Sequence, residues 1–104
     1  MNVKVYQDAQ GREPFLQWLA SLRDVTTRRR IQKRVRRVEL GNLGDFAPVG
    51  EGVHELRLHF GAGYRIYYGS IDDHTILLLT GGDKTTQARD IQRAHTYWAE
   101  HKRS

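Results

Sequence analysis

Three apolar segments separated by short turns constrain the fold of this chain more than any other feature. They run from Val53 to Phe60, from Tyr64 to Gly69 and from Thr75 to Thr80, with the short turns GAG and DDH between them. Short turns of this kind join antiparallel neighbours. The pattern therefore predicts an antiparallel meander of three strands.

Two helices are predicted before the meander. Apolar residues recur at helical spacing from Glu13 to about Arg23, with a proline suited to the first helical position. A second helix, capped by Asp24 or Thr26, is predicted to end at Leu40, next to a glycine. A tight turn between them predicts an antiparallel helical hairpin.

The two ends of the chain complete the predicted fold. Val3 to Tyr6 alternates like a short strand, and Thr85 caps a helix predicted over about residues 86–102. The order β-α-α-β-β-β-α defines an α+β fold, in which an antiparallel sheet packs against the N-terminal helical hairpin. At 104 residues, the chain is expected to form a single domain over 1–104.

Two arginines are predicted to share one face of the meander. Arg57 and Arg65 alternate with apolar residues, and only a register that matches the two apolar sets buries the core. That register places the guanidinium groups opposite each other or one diagonal step apart. Like charges across a strand pair repel, so the pair predicts a bound anion such as a phosphodiester. The alternative is that Glu55 and other acids neutralise the pair.

A third cation follows the last predicted strand. Lys84 lies in TGGDKTTQARDI, where two glycines free the backbone for a ligand and a helix begins nearby. The segment lacks the glycine spacing of a P-loop. The alternative is an ordinary tight turn, and Lys84 gains interest because the last strand returns it to the same sheet.

The second predicted helix carries a strongly basic run. The segment RRRIQKRVRR, residues 28–37, has seven basic residues and no acid, in a chain of formal net charge +5. Its apolar residues would anchor the helix, leaving a cationic stripe on the solvent side. Such a run is usually a solvated face. Because charges of one sign repel each other, a polyanion or an acidic protein partner is the favoured interpretation.

Other residue patterns limit the chemistry. The chain has no cysteine, which excludes disulfides and thiolate metal sites and fits a reducing cytoplasm. Its five histidines form none of the patterns of zinc sites, so neither a metal nor another cofactor is expected. No segment approaches the length of a membrane span, and the N-terminus lacks an apolar signal region, so a cytoplasmic protein without a membrane partner is expected.

Taken together, the motifs ELR, GYRIYY and GGDKTTQxxDI give the chain a family likeness. The chain resembles the RelE/ParE superfamily of type II toxin–antitoxin toxins, most closely its HigB-like addiction module killer branch. The similarity runs from about Val3 to Ala94. It implies a RelE-like fold of the microbial ribonuclease type.

The resemblance also implies a function, a set of partners and a site. Toxins of the RelE kind are metal-independent endoribonucleases that cut mRNA in the ribosomal A site and so inhibit translation. A cognate antitoxin, commonly a helix-turn-helix protein in this branch, neutralises them. By position, Arg57 and Arg65 match family cations that grip the scissile phosphate, and Lys84 matches the basic residue after the last strand. The basic helix matches a surface that contacts ribosomal RNA or, in part, the antitoxin; its candidate RNA-binding residues are Arg29, Arg30, Lys33, Arg34, Arg36 and Arg37.

One departure from the family leaves the general base open. Some members have a catalytic tyrosine at the start of the final segment, where this chain has no tyrosine. Tyr67, His59 and His95 are the candidates for proton transfer. Two alternatives to the ribonuclease remain: a ParE-like inhibitor that binds DNA gyrase and cleaves no RNA, and a non-catalytic nucleic-acid-binding module. The second alternative predicts exposed aromatic residues, of which Tyr67 is the clearest candidate.

Overall fold

The meander forms the centre of a mixed sheet that has helices on both faces. The computed structural model describes residues 1–104. In chain order its elements are β1 (Asn2–Val5), α1 (Pro14–Ser21), α2 (Val25–Glu39), β2 (Phe46–Pro48), β3 (Val53–Arg57), β4 (Arg65–Asp72), β5 (Thr75–Gly82) and α3 (Gln87–Arg103), with a 3-10 turn at Lys84–Thr86 before α3. The α+β fold class is confirmed.

The sheet has the strand order β1-β5-β4-β3-β2. Strands β3, β4 and β5 form the predicted antiparallel meander. The prediction of a purely antiparallel sheet is wrong, because β1 runs parallel to β5, with Asn2 opposite Thr75 and Val5 opposite Leu78. No short turn links β1 to its partner, so local sequence does not dictate the direction of this pairing.

A fifth strand, β2, lies in the glycine-rich segment GNLGDFAPVGEG between α2 and β3, which the sequence pattern predicts as a loop. The three residues of β2 pair with β3, and Phe46 lies opposite Leu56. Pro48 ends this strand, which is at the edge of the sheet, where a residue without an N–H group is tolerated. Strand β2 also brings the loop that precedes it, with Asp45, next to the end of β3, where the N–H of Arg57 donates to the carbonyl of Asp45 at 2.9 Å.

The two faces of the sheet are covered by different helices. The apolar face predicted from alternation packs against α1 and α2, in one cluster that includes Phe15, Ile31, Leu56 and Ile66. The opposite face, expected to be a polar surface, is covered by α3. A second apolar cluster fills that layer, and it comprises Tyr6, Val53, Tyr67, Leu77, Leu79, Ala94 and Trp98.

The ends of the helices follow the predicted signals in part. Asp24 caps α2 by accepting from the N–H of Thr26, and Gly41, at φ +95°, follows its last turn. The cap predicted at Thr85 is wrong: the carboxylate of Asp83 accepts from the N–H groups of Thr85 and Thr86 and caps the 3-10 turn before α3. Because the carboxylate of Asp83 reaches these amides, Thr85 becomes part of the 3-10 turn instead of its cap. None of the three helices combines the length and apolar character that crossing a bilayer requires.

Candidate functional site

Arg57 and Arg65 lie directly opposite each other in β3 and β4, as predicted. The buried carboxylate of Glu55 lies between them. Its Oε2 accepts a hydrogen bond from Nε of Arg57 at 2.9 Å and lies 3.9 Å from Nε of Arg65. Glu55 therefore compensates both guanidinium groups, as in the alternative left open by the sequence.

The two arginines differ in exposure. Arg65 has 7% of its side chain exposed, and its Nη1 donates to the carbonyls of Gly63 and Tyr64. Arg57 keeps 39% of its side chain exposed. The hydrogen bond to Glu55 raises the pKa of Arg57 above its usual value. Arg57 is thus the member of the pair that presents a permanent charge to a ligand.

A residue of α3 holds the same carboxylate from a third direction. Nε2 of Gln87 donates to Oε1 of Glu55 at 3.0 Å. This contact joins the first residue of α3 to the middle of β3, 32 positions earlier in the chain. The sequence gives no periodic signal for it, because such a pairing depends on how α3 crosses the sheet.

A basic groove lies where α2 meets the end of β3. It has a volume of about 460 Å³, and one carboxylate, that of Asp45, lines it. The cations that line it are Arg30, Lys33, Arg34, Arg37 and Arg57. The groove thus combines two features that the sequence indicated separately, the basic helix and the first arginine of the meander.

A histidine and a carboxylate form a pair at the groove. Nε2 of His59 lies 2.5 Å from Oδ2 of Asp45, and both side chains are exposed to solvent. The hydrogen bond with His59 is the main cause that lowers the pKa of Asp45 below its usual value. If the proton of the neutral imidazole is on Nε2, it points to Asp45 and leaves Nδ1 as a proton acceptor. Asp45 was missed because β2, which positions it, was missed.

Tyr67 does not lie on a surface, which corrects the expectation that it is exposed. Its side chain is fully buried under α3, and its hydroxyl has no hydrogen-bond partner. Burial raises the pKa of Tyr67 far above its usual value. A hydroxyl in this position contacts no ligand, and the non-catalytic binding interpretation loses its clearest exposed aromatic residue.

Lys84 and His95 lie outside the basic groove. Lys84 is exposed in the 3-10 turn, and its aliphatic stem packs so closely on Gly63 that a Cβ there would be 2.8 Å from Cγ of the lysine. The lysine therefore lies against the β3–β4 turn, next to the segment that binds Arg65. His95, on α3, contacts the carbonyl of Val49 at 2.9 Å through Nε2.

Four of the six basic residues predicted to bind RNA line the groove, and Arg29 and Arg36 are exposed elsewhere on α2. Arg34 departs from the predicted solvent stripe because it is only 7% exposed. The reason is the loop between α2 and β2, which folds over its guanidinium group.

Comparison with known proteins identifies a relative of this chain. No family model matches the chain. An uncharacterized protein from Haemophilus influenzae is 40% identical to it over 80 residues, which are 77% of this chain and 81% of the relative. At this identity and coverage, the chain belongs to the same family as the Haemophilus influenzae protein.

Proposed function

We propose that this protein is the toxin of a type II toxin–antitoxin pair, with a RelE-like fold, and that it cleaves mRNA on the ribosome. The observation that carries the proposal is the basic groove, in which five cations and one carboxylate come together. RNA supplies the anion that such a surface needs. The ELR, GYR and GGDK motifs support the same class of protein. The antitoxin is a helix-turn-helix protein, and the toxin acts in the cytoplasm without a cofactor.

The proposed reaction is metal-free transesterification. The ribose 2′-oxygen forms a bond to phosphorus and the bond to the 5′-oxygen breaks. One proton leaves the 2′-hydroxyl and one is delivered to the 5′-oxygen. A protein accelerates this step by orienting the phosphate, stabilising its developing charge and moving these protons.

The groove residues divide these tasks. Arg57 donates to the phosphate oxygens, and Glu55 holds its side chain in place through the 2.9 Å hydrogen bond. His59 exchanges the proton at Nδ1, and Asp45 orients its ring through Nε2. Arg65, which is buried, acts as a positioning residue for the Glu55 carboxylate rather than as a contact to the phosphate.

A ParE-like inhibitor of DNA gyrase is the second candidate, and the burial of Arg65 favours it. Three exposed cations on one surface, Arg57, Arg65 and Lys84, would have favoured a phosphate-binding site. With Arg65 only 7% exposed and near Glu55, that surface is less cationic than the sequence alone indicated. A protein that only binds gyrase needs no phosphate-binding site.

Expression in bacteria separates these candidates. The chain is induced as the wild type, as Arg57→Met, as His59→Gln and as Arg23→Met, a control that removes an exposed loop arginine outside the groove. Growth is followed, and the 5′ ends of cellular transcripts are mapped. Arrest with codon-phased cuts, lost in Arg57→Met and retained in Arg23→Met, supports the ribonuclease. Arrest with intact transcripts and DNA damage supports gyrase inhibition. Normal growth with folded wild-type protein would refute both.

A further inference from the structure

Arg34 is a buried arginine that forms no ion pair with an acidic side chain. It is 7% exposed, and no carboxylate lies within ion-pair distance of it. Its Nη2 donates to the carbonyl of Asp45 at 3.1 Å, but its Nη1 has no hydrogen-bond partner. A buried charge with an unsatisfied donor is costly unless something pairs with it. The missing partner of Arg34 is therefore expected from outside the chain.

The chain is shaped around this guanidinium group. Gly44 has φ +62°, and a Cβ at this position would lie 2.7 Å from Nη2 of Arg34. A side chain here would be strained and would also collide with the guanidinium group. The N–H of Gly44 donates to Oδ1 of Asn42, which fixes the turn. The loop thus holds Arg34 in one position at the wall of the groove.

The charges around Arg34 favour an anion. Lys33 and Arg37 line the same groove. Burial, followed by repulsion from Arg37, lowers the pKa of Arg34 below its usual value, and the attraction of Asp45 offsets only part of this shift. An anion bound between these side chains would relieve both effects. A phosphate group suits a guanidinium donor best, because its oxygens accept the paired N–H groups of the fork.

A flat platform for a base lies in the same groove. The guanidinium group of Arg30 stacks on the ring of Phe60, with Cζ 3.8 Å from the ring centroid, and the arginine remains exposed. One face of the guanidinium plane is covered by the phenyl ring, so its other face is open. Nucleobases stack on arginine planes of this kind.

We propose that the groove holds one nucleotide unit of RNA, with its phosphate against the guanidinium group of Arg34, between Lys33 and Arg37, and its base on the plane formed by Arg30 and Phe60. The groove volume of about 460 Å³ is in the range of small-molecule sites. This inference rests on the proposed function for the identity of the ligand as RNA. The pocket itself is tested without a ribosome or a cleavage reaction.

Titration calorimetry at low salt tests the pocket with three probes: adenosine 5′-monophosphate, adenosine and inorganic phosphate. The wild type is expected to bind one adenosine 5′-monophosphate per chain, more tightly than inorganic phosphate, and to bind adenosine without its phosphate at least 10-fold more weakly. Arg34→Met should weaken nucleotide binding at least 10-fold. Arg23→Met, which loses the same charge outside the groove, should bind as the wild type does.

Two outcomes would overturn the phosphate pocket: unchanged affinity in Arg34→Met, or an equal loss in Arg23→Met. Equal affinity for adenosine 5′-monophosphate and inorganic phosphate would overturn the base platform. Circular dichroism confirms that each variant is folded, and Arg34→Lys, which keeps the charge but lacks the planar fork, provides a second variant and should also lose affinity. A protein that binds the nucleotide through Arg34 but leaves transcripts intact keeps the pocket and refutes the nuclease. A protein that cuts transcripts without binding the nucleotide refutes the pocket alone.

Discussion

The buried carboxylate of Glu55 provides a sharp test of how the two arginines are compensated. Glu55→Gln keeps the size and shape of the side chain and removes its charge. Arg57, with 39% of its side chain exposed, regains water as a partner. Arg65, with 7% exposed, loses the anion that lies 3.9 Å from its Nε. The cost therefore comes mainly from an uncompensated guanidinium charge inside the protein.

The size of this effect follows from measurements on buried ion pairs. Removing one partner of such a pair costs about 3–5 kcal/mol. We expect about 3 kcal/mol for Glu55→Gln, because Arg65 keeps its hydrogen bonds to two backbone carbonyls. Against a total of about 5–15 kcal/mol for a domain, this is a large fraction. Urea unfolding followed by circular dichroism measures the loss, and the melting temperature should fall by roughly 12 °C or more.

Two further variants identify the cause. Arg57→Met removes the exposed partner and should lose well under half as much stability as Glu55→Gln. The double variant Glu55→Gln/Arg65→Met removes both buried charges and should be more stable than Glu55→Gln alone. A loss below about 1 kcal/mol in Glu55→Gln would refute the reasoning, since Arg65 would then be stable in the interior without a counter-charge.

Three more outcomes are expected from other parts of the fold. Gly81→Ala should lower the free energy of unfolding by about 1–3 kcal/mol, measured in urea, because the added methyl group would overlap the indole ring of the half-buried Trp18. Asp83→Ala should lower the free energy of unfolding by roughly 1 kcal/mol at pH 7, measured in urea. The hydrogen bond from Thr85 lowers the pKa of Asp83, so the carboxylate stabilises the fold above its unfolded-state pKa. The difference in stability from the wild type should vanish as pH falls through the folded-state pKa of Asp83. Burial and a hydrogen bond to a carboxylate raise the pKa of Tyr6 to about 12, so the stabilisation by Tyr6 is complete below pH 10 and is lost between about pH 10 and 12. Over that interval the urea midpoint of Tyr6→Phe should fall less than that of the wild type. An equal fall would contradict the raised pKa of Tyr6.

The meander could be predicted because its information is local. Alternation in β3 and β4 fixes which side chains share a face, and the short turns fix the direction. The register of Arg57 opposite Arg65 is therefore confirmed. The direction of β1 depends on residues distant in the chain, because no turn links β1 to its neighbour. Strand β2 pairs with β3 across a short turn, but it has only three residues.

The burial of the second face was missed although the chain carries a signal for it. The segment TILLLT in β5 is a continuous apolar run, which is typical of a strand buried on both sides. Leu77 and Leu79 face α3, and Ala94 and Trp98 of α3 pack against them. Alternation in β3 and β4 alone made that face look polar, because Glu55 is a charged residue that the fold buries.

The sequence identified most residues of the candidate site, but it did not predict how they are arranged. The basic run and Arg57 could be identified from charge and alternation, but the loop that joins them could not. Asp45 contacts His59 and, through its carbonyl, Arg34, and both contacts depend on β2 pairing with β3. A three-residue edge strand carries too little pattern to be recognised in a glycine-rich segment.

The two buried arginines of this protein differ in whether the chain provides a carboxylate partner for their charge. This contrast separates a structural role from a binding role. Arg65 has a carboxylate within the chain, Glu55, that α3 also holds through Gln87. Arg34 has no such carboxylate, yet the loop at Gly44 is shaped to keep it buried. A fold that only needed to bury Arg34 would gain by pairing it or by using an apolar residue of similar size. A buried guanidinium group without an ion pair at the wall of a groove is expected where a ligand supplies the counter-charge, and for this reason the phosphate is assigned to Arg34 and the positioning role to Arg65.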